Sequence, residues 1–208
     1  TGWAKMAGML VVSLIFTYCA LRRPDDDLIL PASHNISIFR DTDFSFLEVF
    51  GGVAGSILLA IWIYLLVAGT SNGVNIADGL DGLATGASIM AIGSYVLVGF
   101  WQFNQSCSSV VDNLSNCYTV RDPLDLAVVA SAVVGALIGF LWWNTSPAQI
   151  FMGDTGSLSL GGVLAALAIL TRTELLLLLV GGLFVMVTGS VIIQRVFFKL
   201  TKWTTGTG

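Results

Sequence analysis

Charged residues divide the chain into six long apolar runs. Each run lacks Asp, Glu, Lys and Arg, and the runs cover residues 6–21, 49–77, 82–111, 126–153, 155–171 and 175–194. A helix that crosses a bilayer needs roughly 17–25 predominantly apolar residues, and each run has about this length or more. The pattern therefore predicts six membrane-spanning helices.

A buried core helix is the alternative explanation for any single run. Six buried helices in succession do not fit a chain of 208 residues, because its surface would then have to be apolar. Only 11% of the residues are charged and 55% are hydrophobic, whereas a soluble domain has about a quarter charged residues. The predicted fold class is all-α, a polytopic helical bundle in a lipid bilayer.

The order of the spans predicts which connections share a membrane face. Since each crossing reverses the side, the connections at residues 71–82 and 144–156 lie on the same face as the termini. The connections at residues 22–48, 104–125 and 172–174 lie on the other face. Lys and Arg are divided four against five between the faces, so the positive-inside rule does not orient the protein.

Net charge and the chain ends add two expectations. The formal charge of -4, without a basic stripe, argues against nucleic acid as a partner. The chain starts at Thr1 and stops at Gly208 within a run of Thr and Gly, so we expect one transmembrane domain, residues 1–208, truncated at both ends.

Two features of the other face have open interpretations. Cys107 and Cys117 occupy one polar connection, and they either pair in an oxidising compartment or remain free thiols. His34, the only histidine, is expected to be a solvated loop residue.

The connection at residues 71–82 carries the first candidate site. Four polar side chains recur every third residue, so on a helical turn they would line one face: Asn72, Asn75, Asp78 and Asp81. Acids at a membrane edge are costly, and a pair of carboxylates with amides suits a divalent cation and a phosphorylated ligand. The alternative is a polar loop whose acids only solvate and cap.

The second candidate is Asp154, which precedes the fifth apolar run. A helix N-terminus there would offer free N–H groups to phosphate oxygens. Mg²⁺ takes one or two protein carboxylates and leaves its other positions to water and phosphates, which Asp154 could satisfy. The alternative is that Asp154 caps the helix. Because Asp154 and the first acidic segment share a face, one joint site is expected.

The two acidic segments resemble motifs of a known family. NIADGLDGLA at residues 75–84 and FMGDTGS at residues 151–157 are similar to signatures of the polyprenyl-phosphate N-acetylhexosamine-1-phosphate transferases. Within that superfamily, the chain most resembles the phospho-N-acetylmuramoyl-pentapeptide transferases. The similarity extends through residues 139–144 and 157–162, and the connection at residues 104–125 resembles the actinobacterial branch.

The resemblance implies a whole enzyme of ten spans, of which these six would be the fourth to the ninth. It places the acidic segments in the cytoplasm and the protein in the bacterial plasma membrane. The family's adjacent aspartates would precede Thr1, and its triple-histidine loop would follow Gly208. Val187 stands where relatives usually carry an acid. The chain alone is therefore expected to be inactive.

The resemblance also implies roles for individual residues. Asp154 would hold Mg²⁺, the implied cofactor. The catalytic residues would be Asn75, Asp78 and Asp81. The nucleotide-binding residues would be Gly79, Asn144, Phe151 and Gln194, with the Phe151 ring against the uracil. Lys5 matches, over a short stretch, a lysine that precedes the fourth span.

The implied reaction joins UDP-N-acetylmuramoyl-pentapeptide to undecaprenyl phosphate, which gives lipid I and UMP. A sister branch that uses UDP-N-acetylglucosamine is the first alternative. A membrane transporter is the second, although transporters place ionisable residues at mid-span. The assembly state stays open, with a homodimer among the options.

Overall fold

Helices that can span a membrane dominate the chain. The computed structural model describes residues 2–22, 29–107 and 117–205. It contains the six expected long apolar helices, which confirms the predicted fold class. They are α1 (Gly2–Arg22), α3 (Gly52–Ala77), α4 (Leu83–Asn104), α5 (Pro123–Asn144), α6 (Gly153–Leu170) and α8 (Gly182–Thr205).

Short elements complete the described part of the chain. Strands β1 (Asn35–Ser37) and β2 (Asp41–Ser45) form an antiparallel hairpin, followed by the short helix α2 (Phe46–Phe50). The last apolar run is divided, because α7 (Leu176–Val180) ends before Gly181 and α8 begins after it. The sequence had indicated one continuous span there.

The surfaces of the long helices are apolar and exposed. Val53, Leu97 and Trp142 are 79%, 73% and 81% exposed. Such large apolar surfaces are unstable in water and favourable against lipid chains. The exposure pattern therefore agrees with a bundle whose outer surface contacts a bilayer.

Helix α3 packs centrally, between α1, α6 and α8, while α4 and α5 pack against each other. Small residues allow close approaches at two of these interfaces. A Cβ atom added to Gly161 of α6 would lie 2.3 Å from the Ser71 Cα atom of α3, and one added to Gly99 of α4 would lie 2.7 Å from the Pro123 carbonyl oxygen. Backbones in membrane bundles approach in this way where side chains are smallest.

A polar cap covers the membrane face opposite the acidic segments. Cys107 and Cys117 form a disulfide there. The Ser37 backbone N–H donates to the buried Glu174 carboxylate at 2.7 Å, and the Arg172 guanidinium donates to Asp41 at 3.0 Å. Burial raises the pKa of Glu174 to about 7. The sequence had indicated only a turn at residues 172–174.

The expectation of a solvated His34 is confirmed only in part, since it is a loop residue but not a fully solvated one. The side chain is half-buried beside the hairpin. Burial, and next to it the positive charge of Arg172, lower the pKa of His34. The imidazole therefore belongs to the packed cap, on the face away from the acidic segments.

Candidate active site

The first acidic segment begins on a helix. Helix α3 continues to Ala77, although residues 71–82 were expected to form a connection, so Asn72 and Asn75 lie on its final turns. Asn72 donates to the Ala68 carbonyl oxygen within the same helix, at 2.7 Å. Asp78 and Asp81 follow in the turn between α3 and α4 and belong to neither helix. The predicted common face of four polar residues is therefore wrong.

Asn75 joins the two acidic segments. Its amide nitrogen donates to the Asp154 carboxylate at 2.8 Å and to the Ser157 hydroxyl oxygen at 2.9 Å. Ser157 is fully buried, and its own hydroxyl donates to the Gly153 carbonyl oxygen at 3.0 Å. The end of α3 and the start of α6 are thereby fixed against each other through one amide.

Asp154 lies in the first turn of α6 and does not cap it. The helix begins at Gly153, whose φ of +66° is readily adopted by glycine, and no side chain caps its N-terminus. The Asp154 carboxylate instead accepts hydrogen bonds from Asn75 and from the Lys5 ammonium at the start of α1. The alternative of a simple N-cap thus finds no support in the hydrogen bonding.

Lys5 joins the site from a third helix. Its side chain is 37% exposed and that of Asp154 is 59% exposed, so water screens the ion pair and its contribution to folding is small. The contact places a positive charge beside the carboxylates. Only a short match to a lysine before the fourth span had indicated this residue.

Asp78 lies close enough to Asp154 for their charges to interact. Partial burial is the largest cause that raises the pKa of Asp78, and the negative charge of Asp154 raises it further. The backbone N–H of Gly153 donates to this carboxylate and acts in the opposite direction. Both dominant effects disfavour the negative charge of Asp78, whereas a positive charge bound nearby would favour it.

The donor set fits a hard divalent cation. Asp78 and Asp154 supply carboxylate oxygens, which Mg²⁺ prefers. Among the residues that the structure describes, no group of three or more His, Cys, Asp or Glu side chains converges at one point. Mg²⁺ commonly takes only one or two protein carboxylates, with water and substrate phosphates in its remaining positions.

The second loop, residues 145–152, packs against the first. The Asp81 carboxylate accepts a hydrogen bond from the Ala148 backbone N–H at 3.3 Å. Gly82, at φ +72°, lies close to the Asn144 carbonyl oxygen, with a built Cβ only 3.6 Å away. The turn after α3 and the end of α5 are thus held together, as one joint site requires.

The predicted nucleotide residues have different environments. Phe151 is 72% exposed, so its ring can accept a flat ligand. Gly79 is also exposed, whereas Asn144 is 4% exposed and uses its amide in hydrogen bonds to Thr85 and Ile150. Gln194 of α8 is exposed and donates to Ser190 of the same helix at 3.4 Å. Their nucleotide contacts remain predictions.

Three residues that support the site were not singled out in the sequence. They are Thr85, Ser157 and Gly161, all buried. The only signals for Ser157 and Gly161 were the family-like segments at residues 151–157 and 157–162, which contain them. Thr85 carried none, because its partner lies 59 positions along the chain.

An apolar groove begins beside Lys5. It has a volume of about 560 Å³ and runs between α1, α3 and α6, past Met9, Phe16 and Val67. A polar, charged site at the helix ends is therefore adjacent to a surface that suits a hydrocarbon chain.

Together, these features define a polytopic helical membrane protein with carboxylates, an amide and a lysine gathered at one end of its spans. Residues 1–172 match the profile of glycosyl transferase family 4, and the chain belongs to this family.

Curated relatives carry one name. The chain is 64% identical over 204 residues to the phospho-N-acetylmuramoyl-pentapeptide-transferase of Clavibacter michiganensis subsp. michiganensis, which covers 96% of this chain and 55% of that protein. The enzyme of the same name from Streptomyces griseus subsp. griseus is 57% identical over 201 residues, 95% of this chain and 54% of the relative. The enzyme of the same name from Kineococcus radiotolerans is 56% identical over 203 residues, which cover 97% of this chain and 56% of that protein. The chain spans about half the length of the curated relatives it matches.

Proposed function

We propose that this chain is the central part of a phospho-N-acetylmuramoyl-pentapeptide transferase. The observation that carries the proposal is the junction of its two acidic motifs, in which Asn75 bridges α3 to Asp154 and Asp78 lies beside them. The curated relatives that bear this name support it. In the proposed reaction, a sugar nucleotide and a polyprenyl phosphate are both substrates, and the product lipid remains in the bilayer.

The proposed chemistry is a phosphoryl transfer. An oxygen of undecaprenyl phosphate attacks the β-phosphorus of UDP-N-acetylmuramoyl-pentapeptide, the bond from that phosphorus to the bridging oxygen breaks, and UMP leaves with the electron pair. The new diphosphate is lipid I. Mg²⁺ bound at the carboxylates would neutralise charge on the transferred phosphates.

The protein's own groups would bind and orient the substrates. Asp78 and Asp154 supply the cation ligands, and Asn75 holds the Asp154 carboxylate in one position. A phosphate monoester already carries about 1.5–2 negative charges at neutral pH, so there is little proton for a base to remove. We therefore assign Asp78 to cation binding and orientation rather than to general base catalysis.

The distribution of charge favours surface chemistry over transport. Helices α3 and α4 contain no charged residue, and α5 and α6 carry only Asp125 and Asp154, each in the first turn. A transporter would need ionisable groups near the middle of such spans. Catalysis on a lipid headgroup takes place at the membrane surface. It requires ionisable groups at the ends of the spans, which is where these helices carry them.

We also propose that the acidic face is cytoplasmic, in the bacterial plasma membrane. The disulfide between Cys107 and Cys117 on the opposite face supports this orientation, because disulfides persist in oxidising compartments.

One experiment tests the donor and the orientation together. A full-length protein containing this chain is placed in sealed vesicles of both orientations, with undecaprenyl phosphate in the membrane. External UDP-N-acetylmuramoyl-pentapeptide is expected to give lipid I only where the cytoplasmic face is outside. Product from UDP-N-acetylglucosamine alone would assign the protein to the sister branch, and the absence of transfer from either donor would refute the proposal.

Phe151→Ala is expected to weaken binding of UMP and the UDP-sugar by roughly 1–3 kcal/mol, because stacking of a base on an aromatic ring contributes about this much. The apparent affinity for lipid phosphate should stay nearly constant. Calorimetric titration with UMP, together with KM values for both substrates, measures the two effects.

The alternative role of Phe151 is an anchor at the lipid interface. Trp142→Ala is the matched control, because Trp142 is an exposed aromatic residue near the same face. Only Phe151→Ala should change UMP affinity. If UMP binding is unaltered while the dependence on lipid phosphate shifts, the nucleotide assignment is wrong.

A further inference from the structure

Thr85 forms a buried hydrogen-bond relay to the loop that carries Phe151. It lies in the first turn of α4, and its side chain is fully buried. The Thr85 hydroxyl donates to the Asn144 side-chain oxygen at 2.7 Å. The Asn144 amide nitrogen in turn donates to the Ile150 carbonyl oxygen at 2.9 Å.

The relay allows only one orientation of the Asn144 amide. A backbone carbonyl only accepts hydrogen bonds, so the amide nitrogen must face Ile150 and the amide oxygen must face α4. Thr85 must then donate. A side chain without a donor at position 85 would leave the Asn144 oxygen buried and unpaired, which is costly.

The relay connects two parts of the candidate site. Helix α4 begins directly after the turn that carries Asp78 and Asp81, and Ile150 immediately precedes Phe151. Asn144 uses one amide hydrogen and one oxygen lone pair in the relay, so its other hydrogen and lone pair are not required by it. The relay therefore fixes the loop backbone without exhausting the hydrogen-bonding capacity of Asn144.

We propose that Thr85 is a positioning residue for nucleotide binding, which acts through Asn144 to hold the Ile150–Phe151 segment and its exposed ring in place. This inference rests on the proposed function, since it takes the ligand of that segment to be a uridine nucleotide. The Asp81–Ala148 hydrogen bond holds the same loop nearer its start, and the Gln149 and Ile150 backbone N–H groups donate to the Trp143 carbonyl oxygen. Within the described part of the chain, the relay alone holds the Ile150 carbonyl group, so its loss should loosen the Phe151 end selectively.

A graded series of substitutions at position 85 tests the proposal in a full-length protein containing this chain. Thr85→Val keeps the shape and removes the donor, Thr85→Cys retains a weak donor, and Thr85→Ser retains the hydroxyl. Ser88→Ala is the matched control, because Ser88 is also buried on α4 and its hydroxyl has no partner.

The expected result is that Thr85→Val weakens UMP binding about tenfold, the loss typical of one buried hydrogen bond. KM for the UDP-sugar should rise by a similar factor, while KM for lipid phosphate stays unchanged. Thr85→Ser and Ser88→Ala should bind UMP within about twofold of the unmodified protein, and Thr85→Cys should lie between.

Four other results would overturn the proposal. Equal UMP affinity in Thr85→Val and the unmodified protein would show that the hydroxyl serves stability alone, as would parallel changes in both KM values. If Thr85→Val does not fold, equal UMP affinity of Thr85→Cys and Thr85→Ser has the same meaning. An unmodified protein that binds neither UMP nor the UDP-sugar would refute the proposed function itself, and this inference with it.

Discussion

Asp154→Asn is expected to reduce turnover by at least about a thousandfold and to abolish its dependence on Mg²⁺. The substitution keeps the shape of the side chain and its contact with Asn75, but it removes the charge that would hold the cation. Loss of a metal ligand of this kind should cost several kcal/mol of transition-state stabilisation, and about 1.4 kcal/mol corresponds to a tenfold change in rate. Turnover measured over a Mg²⁺ titration gives both quantities.

Asp125→Asn is the control for Asp154→Asn. Asp125 is also an exposed aspartate in the first turn of a spanning helix, α5, but it lies on the opposite membrane face. Both substitutions remove a favourable interaction with a helix N-terminus. Near-normal turnover of Asp154→Asn with an unchanged Mg²⁺ titration would show that its charge only supports the helix.

Gly161→Ala should lower activity about a hundredfold by separating α3 from α6. A methyl group at this position would lie 2.3 Å from the Ser71 Cα atom and 2.6 Å from the Thr70 carbonyl oxygen, and backbone atoms cannot rotate away. Relief of this overlap must move one helix by about an ångström, and displacements of that size at a catalytic site cost about 10²-fold in rate. Overpacking should also destabilise the fold by about 1–3 kcal/mol.

Gly162→Ala provides the matched comparison. A Cβ atom at position 162 has no neighbour within 4 Å, and both variants gain the same helix propensity. Transfer activity and thermal stability of the two variants should therefore diverge. If they are alike, the close crossing of α3 and α6 does not set the geometry of the site.

The spans and their grouping by membrane face could be predicted because they depend on local composition. A run without charges that is long enough to cross a bilayer must become a helix, since every backbone polar group has to be satisfied internally. The alternation of faces follows from counting crossings. These two arguments were enough to place Asp78, Asp81 and Asp154 on one face before any contact was known.

The ends of the helices could not be predicted from local composition in the same way. Polar residues at 71–75 indicated a loop, yet α3 continues through them to Ala77, because Asn72 bonds within the helix and Asn75 reaches α6. The break at Gly181 was missed for a related reason. An apolar run shows that a segment is buried in lipid, but it does not show whether the helix is continuous.

The sequence by itself determined the all-α membrane fold, the face that carries the acids and the two motifs that indicate phosphoryl transfer. Only the tertiary structure decided which side chains meet. Lys5 contacts Asp154 across 149 positions and Thr85 contacts Asn144 across 59. Such pairs depend on the depth and rotation at which helices cross, and here the crossing of α3 and α6 is set by the missing side chain of Gly161 against Ser71. Hydropathy records whether a residue favours lipid or water, whereas the contacts at this site come from steric fit between distant helices.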